Sequence, residues 1–159
     1  MMDMTPVEAR VVPLNPCDWP ELYRLMVARR FPSTPPKYVD AEPFFRTAHV
    51  FGMRGQGGLL AGFVFGEPQD GIGFVDIVCR VSEQGRWATK PVLRELLRLA
   101  FLPEPQGLGL RCLWVQPHHP KALKAALKAG FVPVTPLDGE APILAMTPHS
   151  APPKLMNKE

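Results

Sequence analysis

A strand, a proline-bracketed turn and an amphipathic helix follow one another between Leu110 and Phe131, and this stretch constrains the fold of the chain most strongly. Leu110 to Val115 is a short apolar run typical of a strand. Pro117 and Pro120 then enclose a turn, because a continuous strand does not tolerate prolines at these positions. The sequence therefore predicts that a helix begins at the second proline.

The predicted helix has the start, stripe and end that an amphipathic helix needs. Pro120 suits a first helical position, where its missing N–H group has no partner to lose. One face carries apolar or small residues and the other carries lysines, namely Leu123, Ala126, Leu127, Gly130 and Phe131 against Lys121, Lys124 and Lys128. Gly130 stands where a helix C-cap is expected, so the chain should turn there into another strand.

Length and composition favour one globular domain. The chain has 159 residues and 46% apolar residues, which is enough for a single packed core. Its net charge of +3 comes from 18 basic and 15 acidic residues that are interspersed. This mild excess fits a phosphate-bearing ligand and is too diffuse for a nucleic-acid surface, so no nucleic acid is expected as a partner.

The cysteines and the hydropathy pattern predict a cytoplasmic protein. Cys17, Cys79 and Cys112 are odd in number and have no CxxC spacing, so neither a disulfide framework nor a zinc ribbon is expected. His118 and His119 do not complete a metal site with Cys112, because no carboxylate spacing supplies the remaining ligands. The absence of a long apolar run or a basic leader argues against membrane insertion and secretion.

The first third of the chain predicts a strand, a helix and a long loop. Alternation from Val7 to Val11 indicates a half-buried strand that ends near Pro13. Asp18 and Glu21 have the spacing of a capping box, which predicts a helix to about Arg30. Three prolines and the Ser33-Thr34 pair then predict a loop over 31–41, followed by a short helix over 42–47.

The remaining elements follow from periodicity and from turn residues. Three strands separated by short loops predict an antiparallel meander, over 49–54, 59–66 and 72–81. The period then becomes helical from the capping residue Thr89 to just before Pro103. After Phe131 two closing strands are expected, over 132–134 and 143–146. The tail from Pro148 has little to bury, and we expect it to be loose.

The signature Lys128-Ala129-Gly130-Phe131, together with this order of elements, resembles the Gcn5-related N-acetyltransferase family. The resemblance runs from about Val7 to Thr147. It implies an α/β fold with a mixed, mostly antiparallel central sheet flanked by helices, as one domain over residues 1–147 with a flexible tail over 148–159. It also implies acetyl-CoA as co-substrate, an amine as acceptor, and no metal.

In this family the loop after the fourth strand binds the pyrophosphate of coenzyme A through backbone N–H groups and the start of a helix. The resemblance places that loop, and the cofactor-binding residues, at Gln84, Gly85, Arg86, Trp87, Ala88 and Thr89. Trp87 takes the place of the central glycine, where the backbone must come close to phosphate. In an alternative register Arg86 takes the place of the glycine and Ala88 that of the final small residue. Arg86 is a good anion partner because a guanidinium can bind phosphate through two hydrogen bonds.

Acyl transfer to an amine needs a base and a donor for the developing oxyanion. The resemblance places the donor among the backbone N–H groups from Cys79 to Val81. Candidate catalytic bases are Asp76, Glu67 and a histidine of the pair 118–119, with His119 the preferred one. Each has a plain structural alternative, because Asp76 can pair with Arg80 on the same strand face, Glu67 can be a solvated turn residue, and the histidines can cap the following helix.

Two further positions bear on function. The family's tyrosine that protonates the leaving thiolate falls on Ala126, so another group or solvent replaces it, or no chemistry occurs. Tyr38, Phe44 and Phe45 are candidate walls of the acceptor pocket, and the alternative is that they cover the sheet. The lysine face of the helix is either solvated or meets an acidic partner or the 3′-phosphate of coenzyme A.

Two hypotheses follow. The first is an N-acetyltransferase that acts by direct attack within a ternary complex, on a small-molecule amine or a protein amino group. The second is a catalytically silent domain of the same fold that serves as a binding or assembly module, for example in a phage particle. A homo-oligomer or larger assembly is left open, and no membrane partner is expected.

Overall fold

Strand-forming runs and amphipathic helices build a seven-stranded sheet with helices on both faces. The computed structural model describes residues 10–156. The helices are α1 Trp19–Ala28, α2 Tyr38–Thr47, α3 Lys90–Phe101, α4 Pro120–Ala129 and α5 Pro153–Met156. The strands are β1 Val12–Pro13, β2 His49–Gly55, β3 Gly58–Phe65, β4 Ile72–Cys79, β5 Cys112–Val115, β6 Val132–Pro133 and β7 Leu144–Met146.

The strand order is β1-β2-β3-β4-β5-β7-β6, and the pairing of β4 with β5 is parallel while the other neighbours are antiparallel. A parallel pair needs a crossover, which α3 supplies. The predicted mixed, mostly antiparallel sheet and the meander β2-β3-β4 are confirmed. Of the predicted first strand, Val7 and Ala9 lie outside the described residues.

Two apolar clusters cover the two faces of the sheet. The first joins alternate strand residues such as Phe63 to the buried face of α3, including Leu97. The second joins the opposite face, including Val64, to Leu22 of α1 and Phe45 of α2. Because side chains alternate along a strand, the cluster that a strand residue joins shows which face it is on.

The start of α1 differs from the predicted capping box. Asp18 and Glu21 do not cap the helix but bind Arg54 of β2, at 2.6 Å and 3.1 Å. Glu21 also accepts the N–H of Leu59 at 2.7 Å. Both carboxylates therefore tie α1 to the β2-β3 hairpin, a long-range arrangement that their local spacing does not reveal.

Two segments predicted to be irregular are ordered. The expected loop over 31–41 ends early, because α2 begins at Tyr38, where Lys37 precedes the helix without a side-chain cap that would mark its start. The segment after Pro148 continues into α5, and Ala151 and Leu155 are buried in the first cluster. Two side chains of the segment that was expected to be loose, Ala151 and Leu155, are therefore packed in the core.

Candidate functional site

The crevice between β4 and β5 is the main feature of the site. The two strands pair only from Ile72 with Cys112 to Phe74 with Trp114. Strand β4 then continues to Cys79 without β5 beside it. The strands therefore part at their carboxyl ends and leave a gap in the sheet.

Two backbone donors of β4 point into this gap. The N–H of Arg80 donates to the carbonyl oxygen of Leu60 at 2.9 Å, which sets the alternation of the antiparallel ladder with β3. Backbone N–H groups alternate in direction along a strand, so residues an odd number of positions before Arg80 direct their N–H groups away from β3. The N–H groups of Ile77 and Cys79 therefore face the gap, beyond the last residue pair of β4 and β5. Ile77 is a donor that sequence reasoning missed, because the strand register decides it.

A cavity of about 330 Å³ occupies the gap. Most of its lining is apolar and comes from β4, β5, α3 and α4, with the end of α1 and the residues after it on another side. Helix α4 contributes only small side chains to the wall, and these are Ala122, Ala125, Ala126 and Ala129. The missing tyrosine at position 126 thus leaves open space beside the crevice.

Asp76 is the carboxyl group of the cavity. It pairs across the strands with Val64, so its side chain lies on the face that α1 and α2 cover. Burial raises the pKa of this carboxyl from an ordinary 3.8 to about 6. The expected alternative, a pair with Arg80, is not formed, because β4 ends at Cys79 and the Arg80 guanidinium donates to the carbonyl oxygen of Gly57 at 2.7 Å.

His118 and His119 line the cavity where the chain passes from β5 to α4. The Nδ1 atom of His119 accepts the N–H of Lys121 at 3.0 Å, so this residue caps the helix as one alternative predicted. Its Nε2 atom is left for another partner. His118 packs edge to face on Phe31, with ring centroids 6.2 Å apart.

Other predicted site residues are not brought to the cavity. Glu67 is exposed in the turn before β4, at the opposite end of the strand from Cys79. Val81 starts a 3-10 turn after the strand, with its side chain 71% exposed. Tyr38 and Phe45 belong to the cluster that covers the sheet and Phe44 packs on Phe45, so the alternative for these aromatic residues is the one observed.

The loop from Gln84 to Thr89 leads from β4 into α3. Gln84 and Trp87 line the cavity, whereas Gly85, Arg86 and Thr89 are exposed and Ala88 is half-buried. The indole of Trp87 is only 8% exposed and packs on Phe63, with ring centroids 5.3 Å apart. The ring thus fills the core beneath the loop and leaves the outer surface of the loop open.

This outer surface presents free donors. Within the described chain, four backbone N–H groups around the start of α3 find no acceptor, and these belong to Gly85, Ala88, Lys90 and Val92. Gly85 has a left-handed φ of 79°, and a Cβ added there would lie 3.5 Å from Cδ of Lys121. The cationic side chain of Lys121 therefore passes next to the donors, in an arrangement that suits an anion.

Residues 10–156 contain no group of three or more His, Cys, Asp or Glu side chains that could hold a metal ion. Within the same range, no helix is long and apolar enough to cross a membrane.

The arrangement was compared with known proteins. No protein-family profile and no curated protein sequence matches the chain. A mutant of the spermidine N-acetyltransferase SpeG from Vibrio cholerae superposes with a TM-score of 0.72 at 15% identity, over 95% of this chain and 98% of that one. A dodecameric structure of the same enzyme in an intermediate state gives 0.70 at 15% identity, over 96% and 98%.

A third solved structure is AAC(6′)-Ib in complex with paromomycin and acetyl-CoA. It superposes with a TM-score of 0.64 at 17% identity, over 91% of this chain and 96% of that one. These likenesses extend over nearly the whole of each chain. The protein therefore has the fold of the Gcn5-related N-acetyltransferases, as the resemblance at Lys128 to Phe131 predicts.

Proposed function

We propose that this protein transfers the acetyl group of acetyl-CoA to an amine by direct attack within a ternary complex. The observation that carries the proposal is the parting of β4 from β5, with the N–H groups of Ile77 and Cys79 facing the gap. The gap is mostly apolar, and Gln84, where the loop into α3 begins, is part of its lining. A pantetheine arm is a chain of amides and methylenes that such a gap suits.

The two free N–H groups would act on the thioester. When an amine attacks the carbonyl carbon, negative charge develops on the carbonyl oxygen, and fixed backbone donors stabilise it. Cys79 is the preferred donor because its position matches the resemblance, and Ile77 is the next donor along the same edge. Neither donor needs to move, because both belong to a paired strand.

Asp76 is the residue we propose as general base. A base works best when its pKa is near the working pH, and burial has raised the pKa of this carboxyl to about 6. It lies in the same cavity as the two N–H donors. His119 is a weaker candidate, because its Nδ1 atom already accepts the N–H of Lys121 and the proton of the neutral ring is then on Nε2. Glu67 is too far along the strand for a direct role.

The phosphates of coenzyme A would lie on the loop from Gln84 to Thr89. Four backbone N–H groups there have no acceptor among the described residues, and the start of α3 adds its positive dipole end. Arg86 on the loop and Lys121 beside Gly85 would supply the positive charge. Trp87 does not obstruct this surface, because its ring packs inward on Phe63.

A thermal-shift titration with acetyl-CoA tests the proposal. Saturation at 100 times the dissociation constant should stabilise the fold by about 2.7 kcal/mol, which raises Tm by roughly 5–10 °C. Arg86→Ala should weaken binding, whereas Arg46→Ala, an exposed change on α2 away from the cavity, should not. If millimolar acetyl-CoA leaves Tm unchanged, the proposed co-substrate is wrong.

A second candidate is a silent domain that binds a partner or contributes to an assembly. The observation that favours it is the absence of a phenol from the crevice. Ala126 stands at the family's tyrosine position, and the two tyrosines of the chain, Tyr23 and Tyr38, lie outside the cavity wall. This candidate predicts no release of free thiol from acetyl-CoA with any amine, even if the co-substrate binds.

A further inference from the structure

The charged groups of the cavity are unusual for a site that takes an amine. Among the described residues, three side chains that carry a full charge line it: Arg29 and Arg30 at the end of α1, and Asp76 of β4. The lining therefore holds two cations, the half-buried Arg29 and the exposed Arg30, and one carboxyl group whose burial disfavours its charged form. A cavity for a polycationic amine would need the reverse balance, because like charges repel most strongly where water is scarce.

Arg29 is held in place but not neutralised. Its Nη2 atom donates to Oε1 of Gln84 at 2.7 Å, which anchors the guanidinium across the cavity. No carboxylate oxygen of the described residues lies within 4.0 Å of it. A guanidinium has five N–H donors in a planar fork, so donors remain for a second, anionic partner.

Arg30 occupies a position that a glycine would fill at less cost. It has a left-handed φ of 52° just after α1, where the N–H of Phe31 bonds back to the carbonyl oxygen of Met26 at 2.9 Å. This is the helix ending at which glycine is normally found, because an L side chain is strained there. A cation gains from the helix dipole at this end of α1, and Arg30 also belongs to the lining of the cavity.

We propose that the acceptor is an amine that also carries an anionic group, a carboxylate or a phosphate, and that Arg29 and Arg30 bind this group at the cavity wall. The inference rests on the proposed acetyl transfer and narrows its substrate class. The acceptor amine would then lie toward Asp76, on the same face of the sheet. Polyamines such as spermidine would be poor acceptors.

Matched pairs of amines test the substrate class. The pairs are L-phenylalanine with phenethylamine, L-lysine with cadaverine, and 6-aminohexanoate with hexylamine, with O-phosphoethanolamine as the phosphate member and spermidine as the polycation. Release of free thiol from acetyl-CoA measures turnover. We expect the anionic member to be preferred by about 10- to 100-fold in kcat/KM within at least one pair, from one charge-assisted hydrogen-bond pair.

Arg30→Gly is the decisive variant, because it removes the guanidinium and relieves the backbone. It should raise Tm or leave it unchanged, raise KM for the anionic acceptor about 10-fold or more, and leave KM for acetyl-CoA unchanged. Arg24→Ala, on the same helix but outside the cavity, is the matched control and should change neither constant. Arg29→Lys, which keeps the charge but loses the fork, should be impaired less than Arg29→Ala.

Product binding gives a readout that does not need turnover. N-acetyl-L-phenylalanine should raise Tm of the wild-type protein and not of Arg30→Gly, whereas N-acetylphenethylamine should raise neither. The inference is overturned if spermidine or the uncharged partners are preferred, if neither acetylated compound discriminates, or if the arginine variants change only KM for acetyl-CoA. The proposed acetyl transfer survives each of these results, since it falls only if acetyl-CoA itself fails to bind or react.

Discussion

Asp76 is a carboxyl group whose surroundings disfavour its charge. Its neighbour across the strands is Val64, and no described residue forms an ion pair with it. Burial alone raises its pKa to about 6. In the folded protein the group thus holds its proton through a pH range in which the unfolded chain has already lost it.

This difference predicts a pH-dependent cost to stability. Below pH 3.8 the group is protonated in both states and costs nothing, and the cost grows as pH rises to about 6 and is then constant. Asp76→Asn should therefore stabilise the fold at pH 7, by on the order of 1–3 kcal/mol, and have little effect at pH 3.5. Urea unfolding at both pH values measures this, with the exposed Asp70→Asn as matched control.

The same group predicts the pH dependence of turnover. If Asp76 is the base, kcat/KM rises with pH through about 6, because only the carboxylate accepts a proton. Asp76→Asn should lose this limb and fall at least roughly 100-fold at neutral pH while still binding acetyl-CoA. An unchanged profile in this variant would transfer the role to another group, with His119 tested next.

Two departures from the family pattern show how much of the site can be predicted from a single residue of the sequence. Trp87 and Ala126 are both visible in the sequence as unexpected residues at family positions. The direction of the indole, inward onto Phe63, depends on packing from a distant strand and could not be predicted. The consequence of Ala126 could be predicted in part, since a missing phenol is a chemical fact whatever the geometry.

At the scale of elements, α4 is the one best predicted. Its start at Pro120 and its end at Gly130 agree with the structure, because both depend on local backbone chemistry. The apolar run predicts that β4 ends at Val81, whereas the strand ends two residues earlier, at Cys79. An apolar run does not mark where a neighbouring strand leaves, so the donor edge of the crevice was also beyond prediction in detail.

Gly130→Ala is expected to destabilise the end of α4 for two reasons. Its φ of 108° strains any L side chain, and a Cβ there would lie 2.8 Å from Cγ of Pro152. Together these effects should cost about 2–3 kcal/mol. Gly57→Ala is the matched control, because its φ of 82° gives similar strain while the nearest atom is 3.8 Å away. Equal losses in urea unfolding would show that the contact with Pro152 contributes nothing.

For the molecule as a whole, the order of strands and helices could be predicted, because each change of period is local. Which helices and strands pack against each other could not be predicted. In the sequence, Arg29 and Arg30 are only the end of a predicted helix, and it is the packing of α1 beside the crevice that brings them to the cavity. Charged residues whose role the local sequence does not explain are therefore the ones whose function the three-dimensional structure helps most to interpret.

The order of the segment after Pro148 also depends on tertiary packing, and a substitution in this segment tests that dependence. Leu155 is 3% exposed and joins the cluster under α3, the helix whose start presents the N–H donors of the proposed phosphate site. Leu155→Ala should destabilise the fold by about 2–3 kcal/mol and lower Tm by roughly 4–12 °C. Leu137→Ala is the control, since that side chain is 43% exposed and the same substitution should change Tm little. Equal Tm values for the two variants would mean that residues 148–156 are as loose as their composition predicts, whereas a loss confined to Leu155 makes them part of the core that supports α3.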